Sequence, residues 1–254
     1  MNRTTGAWFL FGASSLIAVA TGCWIASQHG ISQRVLLLNM AAWAIGAVLA
    51  VALSRIRSLR WWPFVAIAGV AATFVSPGMS GVHRWIAMGV RFNAAELLLP
   101  SAVVTLDSQI LLSFALLILL ALQPDASQAV AFAGALIVTA IASGRFWFAA
   151  SLAVVAALSF VRPDTLAPVP EVEGIIALAT PLQAAIAVLA LAGTVVAPLL
   201  FRSYSLTIYL ALCALAPLFG AFPVPLVGMG VSPILGAWLG FGALMSSIRA
   251  SAPR

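Results

Sequence analysis

A chain of 254 residues that is 63% hydrophobic and 7% charged cannot present a solvated surface to water, because soluble domains carry about 25% charged residues. The net charge is +6, yet all 12 basic residues are arginines scattered between apolar runs, which fits topology signals rather than a face for nucleic acid. The runs lack the polar–apolar alternation of a β-barrel, so the fold class read here is an all-α polytopic membrane protein.

The start, residues 1–6, is short and carries Arg3 alone. The apolar run that follows is long and has no clear cleavage site, so a retained first helix is expected rather than a signal peptide. Ten apolar segments are read, at about 7–28, 35–54, 61–77, 94–106, 108–122, 127–143, 146–161, 175–200, 204–222 and 233–248. The fourth and fifth are short for a ~30 Å hydrocarbon core at ~1.5 Å per residue. They flank a minimal polar break, Leu106 to Gln109, and read as two short helices or one long one.

The arginines choose between these. With the N-terminus inside, Arg3, Arg55, Arg57, Arg60, Arg145, Arg202, Arg249 and Arg254 fall in the cytoplasm, and Arg34, Arg84, Arg91 and Arg162 fall outside. That bias obeys the positive-inside rule. Fusing segments four and five would invert every later loop and spoil it. About ten transmembrane helices with both termini cytoplasmic are therefore expected, in a single domain over residues 1–254. Cys23 and Cys213 lie inside apolar segments and read as buried hydrophobes, with neither a disulfide nor a metal site expected.

Of the six acids, Glu96, Asp107, Asp125, Asp164, Glu171 and Glu173, all but Asp107 fall at outer helix ends or in outer loops, as do His29 and His83. Ionisable groups beside a membrane are costly and point to function. No dinucleotide fingerprint, P-loop, metal-ligand spacing or nucleophile elbow occurs.

The outer loops therefore carry the argument. The first, SPGMSGVHRWIAMGVRFNAAE over 76–96, reads equally as an interfacial re-entrant turn anchored by Trp85 or as an anion site in which Arg84 grips phosphate oxygens. The second, LQPD over 122–125, places Asp125 as the N-cap of the next helix, with a cation or arginine partner as the functional alternative. The third, RPDTLAPVPEVEG over 162–174, holds Asp164, Glu171 and Glu173 among three stiffening prolines. Glu171 and Glu173 would share a face on an extended backbone, and a carboxylate near apolar surface can act as a general base; a solvated acidic loop is the alternative. The fourth, GAFPVPLVGMGVSP over 220–233, reads as a re-entrant hairpin.

Together and in this order, these motifs resemble the SEDS family (shape, elongation, division and sporulation; the FtsW/RodA/SpoVE group), over about residues 77–248. The family's G-x-x-R-W-I-x-x-G and Q-P-S-E pattern is matched by Gly81, Arg84, Trp85, Ile86, Gly89 and Glu96. Its Q-P-D is matched by Gln123, Pro124 and Asp125, and its C-terminal motif by Pro223, Pro225, Gly230 and Ser232. Ala221, Gly228 and Val231 depart from that last motif, Leu99 stands where the family carries lysine, and the loop before the eighth helix is shorter than usual.

The resemblance implies a SEDS-like bundle in the bacterial cytoplasmic membrane that polymerises lipid II, the lipid-linked disaccharide-pentapeptide, into peptidoglycan for cell division or cell shape. It implies a penicillin-binding transpeptidase as partner besides the membrane lipids, and no nucleic acid. Glu173 falls on the family's essential acid when a two-residue gap is allowed, so it is the expected base, with Asp164 and Glu171 beside it. Arg84, Arg91, Trp85 and His83 would bind substrate pyrophosphate. Glu96, Gln123, Asp125, Gly230 and Ser232 would support the site. A divalent cation, Mg or Mn, is compatible with this chemistry, and no other cofactor is implied. Two other readings stand: a non-catalytic SEDS-like scaffold for a cell-wall or division partner, and a lipid or small-molecule transporter. Ion-coupled transport predicts charged residues at the bilayer midplane, and this sequence has almost none.

Overall fold

The computed structural model describes residues 3–106, 109–123, 125–161 and 166–251. Among them helices dominate, in the order α1 (Arg3–Gln28), α2 (Gln33–Leu53), α3 (Trp62–Ala72), α4 (Ala94–Thr105), α5 (Ile110–Leu122), α6 (Ala126–Ala142), α7 (Phe146–Leu158), α8 (Ile175–Leu178), α9 (Pro181–Val196), α10 (Tyr204–Leu215) and α11 (Val231–Ser251). Short 3-10 turns extend α3, α7, α9 and α10 at their C-terminal ends. Four stretches are long and apolar enough to cross a membrane: α1, α2, α11 and Pro181–Phe201, which is α9 with its extension. Six others are shorter apolar helices. Large apolar side chains such as Phe9, Leu37, Trp147 and Leu189 point outward, at 68% exposure or more, as lipid-facing positions require.

Two sequence expectations change. The first outer loop contains a β-hairpin rather than a purely re-entrant turn: β1 (Trp85–Met88) pairs antiparallel with β2 (Val90–Asn93). Gly89 turns the chain between them at φ +73°, a conformation a side chain resists. The segment read at about 175–200 is interrupted at Ala179 and Thr180. Pro181 disfavours helical geometry in the residue before it, and Thr180 instead caps α9 through a reciprocal capping box with Gln183. Segments four and five are separate helices, α4 and α5; Asp107 between them lies outside the described residues.

Helix α11 is central, packed against α4 on one side and α2 on the other. Lipid offers little hydrophobic drive for helices to associate, so close approach by small residues does the work. A Cβ on Gly236 would sit 1.9 Å from the Glu96 carbonyl oxygen, and one on Gly240 2.7 Å from Pro100. One on Gly242 would sit 2.7 Å from the Ala50 backbone. The matching steps from Gly236 to Gly240 and from Glu96 to Pro100 show that α4 and α11 run parallel. Beside them an aromatic cluster fills the interior: Phe11 stacks on Phe241 at 4.3 Å between ring centroids and meets Trp238 edge-on at 5.0 Å.

The fourth outer loop folds back into the bundle, as its glycines and prolines suggested. Val224, Leu226 and Val227 are buried. The Val227 carbonyl lies where a Cβ on Gly22 of α1 would be, at 1.9 Å, and Asn39 of α2 donates to the Gly228 carbonyl at 3.4 Å.

Candidate functional site

The hairpin delivers Arg84. Its carbonyl accepts from the Ala94 amide at 3.1 Å, which locks the strand to the start of α4. Its guanidinium carbon lies 5.1 Å from the centroid of the Trp85 ring, within cation–π range. Nη1 lies 3.8 Å from Asp125 Oδ2, and the two side chains are 9% and 2% exposed. That separation is an ion pair rather than a hydrogen bond.

Asp125 also caps α6: its Oδ1 accepts from the Gln128 amide at 3.4 Å and the Ser127 hydroxyl at 3.1 Å. Buried Asn93 is the node between these parts. Its Oδ1 accepts from the Ala95 and Glu96 amides and so caps α4. Its Nδ2 donates to Asp125 Oδ2 at 3.3 Å, and its own amide donates to the Ser232 hydroxyl at 2.8 Å. The hairpin, α4, α6 and α11 thus meet at one residue. The sequence carries a local signal for Asn93, since an Asn three residues before a Glu is a helix-start signature.

On the facing wall, the third loop is a turn through Pro170–Glu173. The Val172 and Glu173 amides donate to the Val169 carbonyl at 2.9 and 3.0 Å, and the Val169 amide donates to Glu173 Oε2 at 2.7 Å. The loop is pinned to the fourth loop, because the Val224 amide donates to the Val172 carbonyl and the Met229 amide to the Glu171 carbonyl. The backbone turns here, so the extended geometry on which Glu171 and Glu173 would share a face is not present.

Between the two walls lies a cleft of about 690 Å³, ample for a polar headgroup. Arg84, Trp85, Arg91, Glu96 and Glu173 line it, with Gly230 and Ser232 from the fourth loop and the start of α11. The remaining expected residues stand elsewhere. His83 turns its Nδ1 to the Ser76 carbonyl at 3.1 Å and is not on the cleft wall. Gln123 is buried against α3, where it bonds Thr73 and the Val70 carbonyl. Asp125 lies behind Arg84, and Asp164 is outside the described residues.

Among the described residues no three His, Cys, Asp or Glu side chains are grouped to hold a metal ion. Among the described residues Glu96 and Glu173 are the carboxylates on the cleft wall. Two carboxylates leave most of the coordination sphere of a Mg²⁺ to ligands other than these side chains.

Two solved structures share this architecture. A mutant of the rod shape determining protein RodA from Thermus thermophilus superposes with a TM-score of 0.70, and RodA itself with 0.59. Each is 18% identical to this chain, and each match covers 96% of this chain and 96% of the other. No protein-family model matches the sequence, and no curated protein matches it significantly. At that identity the likeness is one of fold: a RodA-like helical membrane protein.

Proposed function

We propose that this chain is a SEDS-type glycosyltransferase that polymerises lipid II at the outer face of the bacterial cytoplasmic membrane. In this reading ten helices span the bilayer, both termini are cytoplasmic and the cleft opens outward. The observation that carries the reading is that Glu173 and Arg84, far apart in sequence, wall the same cleft.

The chemistry follows from the charges. Glu173 accepts the proton of the acceptor sugar hydroxyl as its oxygen bonds the anomeric carbon of the donor. The bond from that carbon to the lipid pyrophosphate breaks, and the pyrophosphate departs with the electron pair. Arg84 and Arg91 on the cleft wall neutralise the growing charge on the leaving group. Arg84 is held against Trp85 and Asp125 before substrate arrives, so little reorganisation accompanies the reaction. Turning Glu173 through its contact with the Val169 amide aims the base from a proline-stiffened loop.

The test is polymerisation of labelled lipid II by the purified protein, alone and with a penicillin-binding transpeptidase. Glu173→Gln should lower the rate by roughly 10²–10⁴-fold, the ordinary contribution of a general base. A second reading, a non-catalytic relative that holds the precursor for a partner, draws on Leu99. It stands where the family carries lysine and is fully buried in apolar surroundings. That reading predicts lipid II binding without polymer under every condition.

A further inference from the structure

At the end of the bundle opposite the cleft, α4 stops short. Gly240 of α11 lies against Pro100 of α4. From there α4 continues to Thr105 and α11 to Ser251. The six-residue difference leaves α11 overhanging by roughly 9 Å at ~1.5 Å per residue. The overhang and the α2–α3 connection enclose a groove of about 1180 Å³. Ser246 clips that connection in place by donating to the Ile56 carbonyl. Arg57, Ser58 and Arg60 line one side of the groove; Ser247, Ala250 and Ser251 line the other. A second hollow of about 570 Å³, bearing Arg202 and Tyr204, shares Val104, Ser247 and Ser251 with it.

Three facts point to an anionic occupant. Arg57 and Arg60 are exposed and make no ion pair among the described residues. Among the described residues no carboxylate lines the groove; Asp107, between the lining residues Thr105 and Gln109 in sequence, lies outside them. Ser58, Thr105, Ser246, Ser247 and Ser251 put hydroxyls on the wall, which can donate to phosphate oxygens. The apolar neighbours fix the source. Trp61 and Phe64, one and four residues after Arg60, are 48% and 59% exposed, and an exposed tryptophan beside arginines suits a membrane interface. A basic hollow whose wall continues in sequence into exposed aromatics suits a headgroup whose acyl chains run down the bundle.

We propose that this groove binds the phosphate of an anionic phospholipid, with Arg57 and Arg60 as its cationic ligands. The inference does not depend on the enzymatic reading. The test is native mass spectrometry of the protein from nanodiscs containing phosphatidylcholine with one fifth phosphatidylglycerol, counting retained anionic lipid. The double variant Arg57→Gln/Arg60→Gln should retain roughly tenfold to thirtyfold less, at the usual strength of two arginines on an anionic surface. Arg145→Gln, an exposed arginine at the start of α7 that does not line the groove, should retain as much as the unchanged protein. Equal retention by the double variant, or equal loss in Arg145→Gln, overturns the proposal. So does displacement of the lipid by millimolar glycerol phosphate, which would make a soluble phosphate the ligand.

Discussion

Arg84, on the cleft wall, and Asp125, behind it, face one another at 3.8 Å, an ion pair with both side chains under one-tenth exposed. The carboxylate has two duties there, since it also caps α6. Removing it takes one counter-ion from a buried cation, which costs up to about 3–5 kcal/mol, and strips a helix cap worth about 1 kcal/mol. Asp125→Ala should therefore unfold well below the unchanged protein. Asp125→Asn keeps the capping oxygen and should fall between them. Thermal unfolding of the three purified in one detergent checks the order; equal midpoints would deny the pair its structural role.

Trp85 presents its ring to the Arg84 guanidinium. Trp85→Ala should weaken lipid II binding by about threefold to thirtyfold, the span of an exposed to a desolvated cation–π contact. Trp85→Phe keeps a ring face and should recover part of the loss. Titration with a fluorescent lipid II analogue reads both.

Asn93 donates to Asp125 while capping α4. Asn93→Asp keeps the capping acceptor but sets a second carboxylate where an amide now lies 3.3 Å from Asp125. Like charges at that range repel. The variant should be less stable than Asn93→Ser, which caps without the added charge. Unfolding midpoints at neutral pH separate the two.

The seam between α4 and α11 gives a steric prediction. Gly236→Ala drives a methyl into the Glu96 carbonyl, whereas at Gly12 the nearest atom is a Trp238 ring carbon at 3.6 Å, an ordinary contact. Gly236→Ala should lose about 1–3 kcal/mol or more through overpacking. Gly12→Ala should be neutral or gain about 0.5–1 kcal/mol from helix propensity. Yield of folded protein and unfolding midpoints report the contrast.

Helix placement was legible because apolar run length, arginine position and proline punctuation all report on the same bilayer. The split between α4 and α5 came from charge bias, with only Leu106 to Gln109 to mark it locally. The hairpin was missed because it is two four-residue strands inside a segment whose tryptophan and arginines equally suit an interfacial turn. Its signal was the glycine between Met88 and Val90, flanked by residues that favour strands. The node at Asn93 was missed because its partners, Asp125 and Ser232, are brought beside it only by tertiary packing. The pairing of Arg84 with Glu173 across one cleft could be expected from the family resemblance but not from spacing. Which of Glu171 and Glu173 lines the cleft depended on whether the backbone there turns or extends, and three prolines in the segment allow either.

The proposed role of Glu173 is that of the base in a glycan polymerase. The most direct measurement compares the unchanged protein with Glu173→Gln in proteoliposomes fed labelled lipid II, with lipid II binding measured in parallel. Glycan strands are expected from the first, at least a hundredfold fewer from the second, and similar binding by both. Undiminished polymer from Glu173→Gln would contradict the assignment of the base. Binding without polymer from the unchanged protein, with and without a transpeptidase partner, would contradict the enzyme itself.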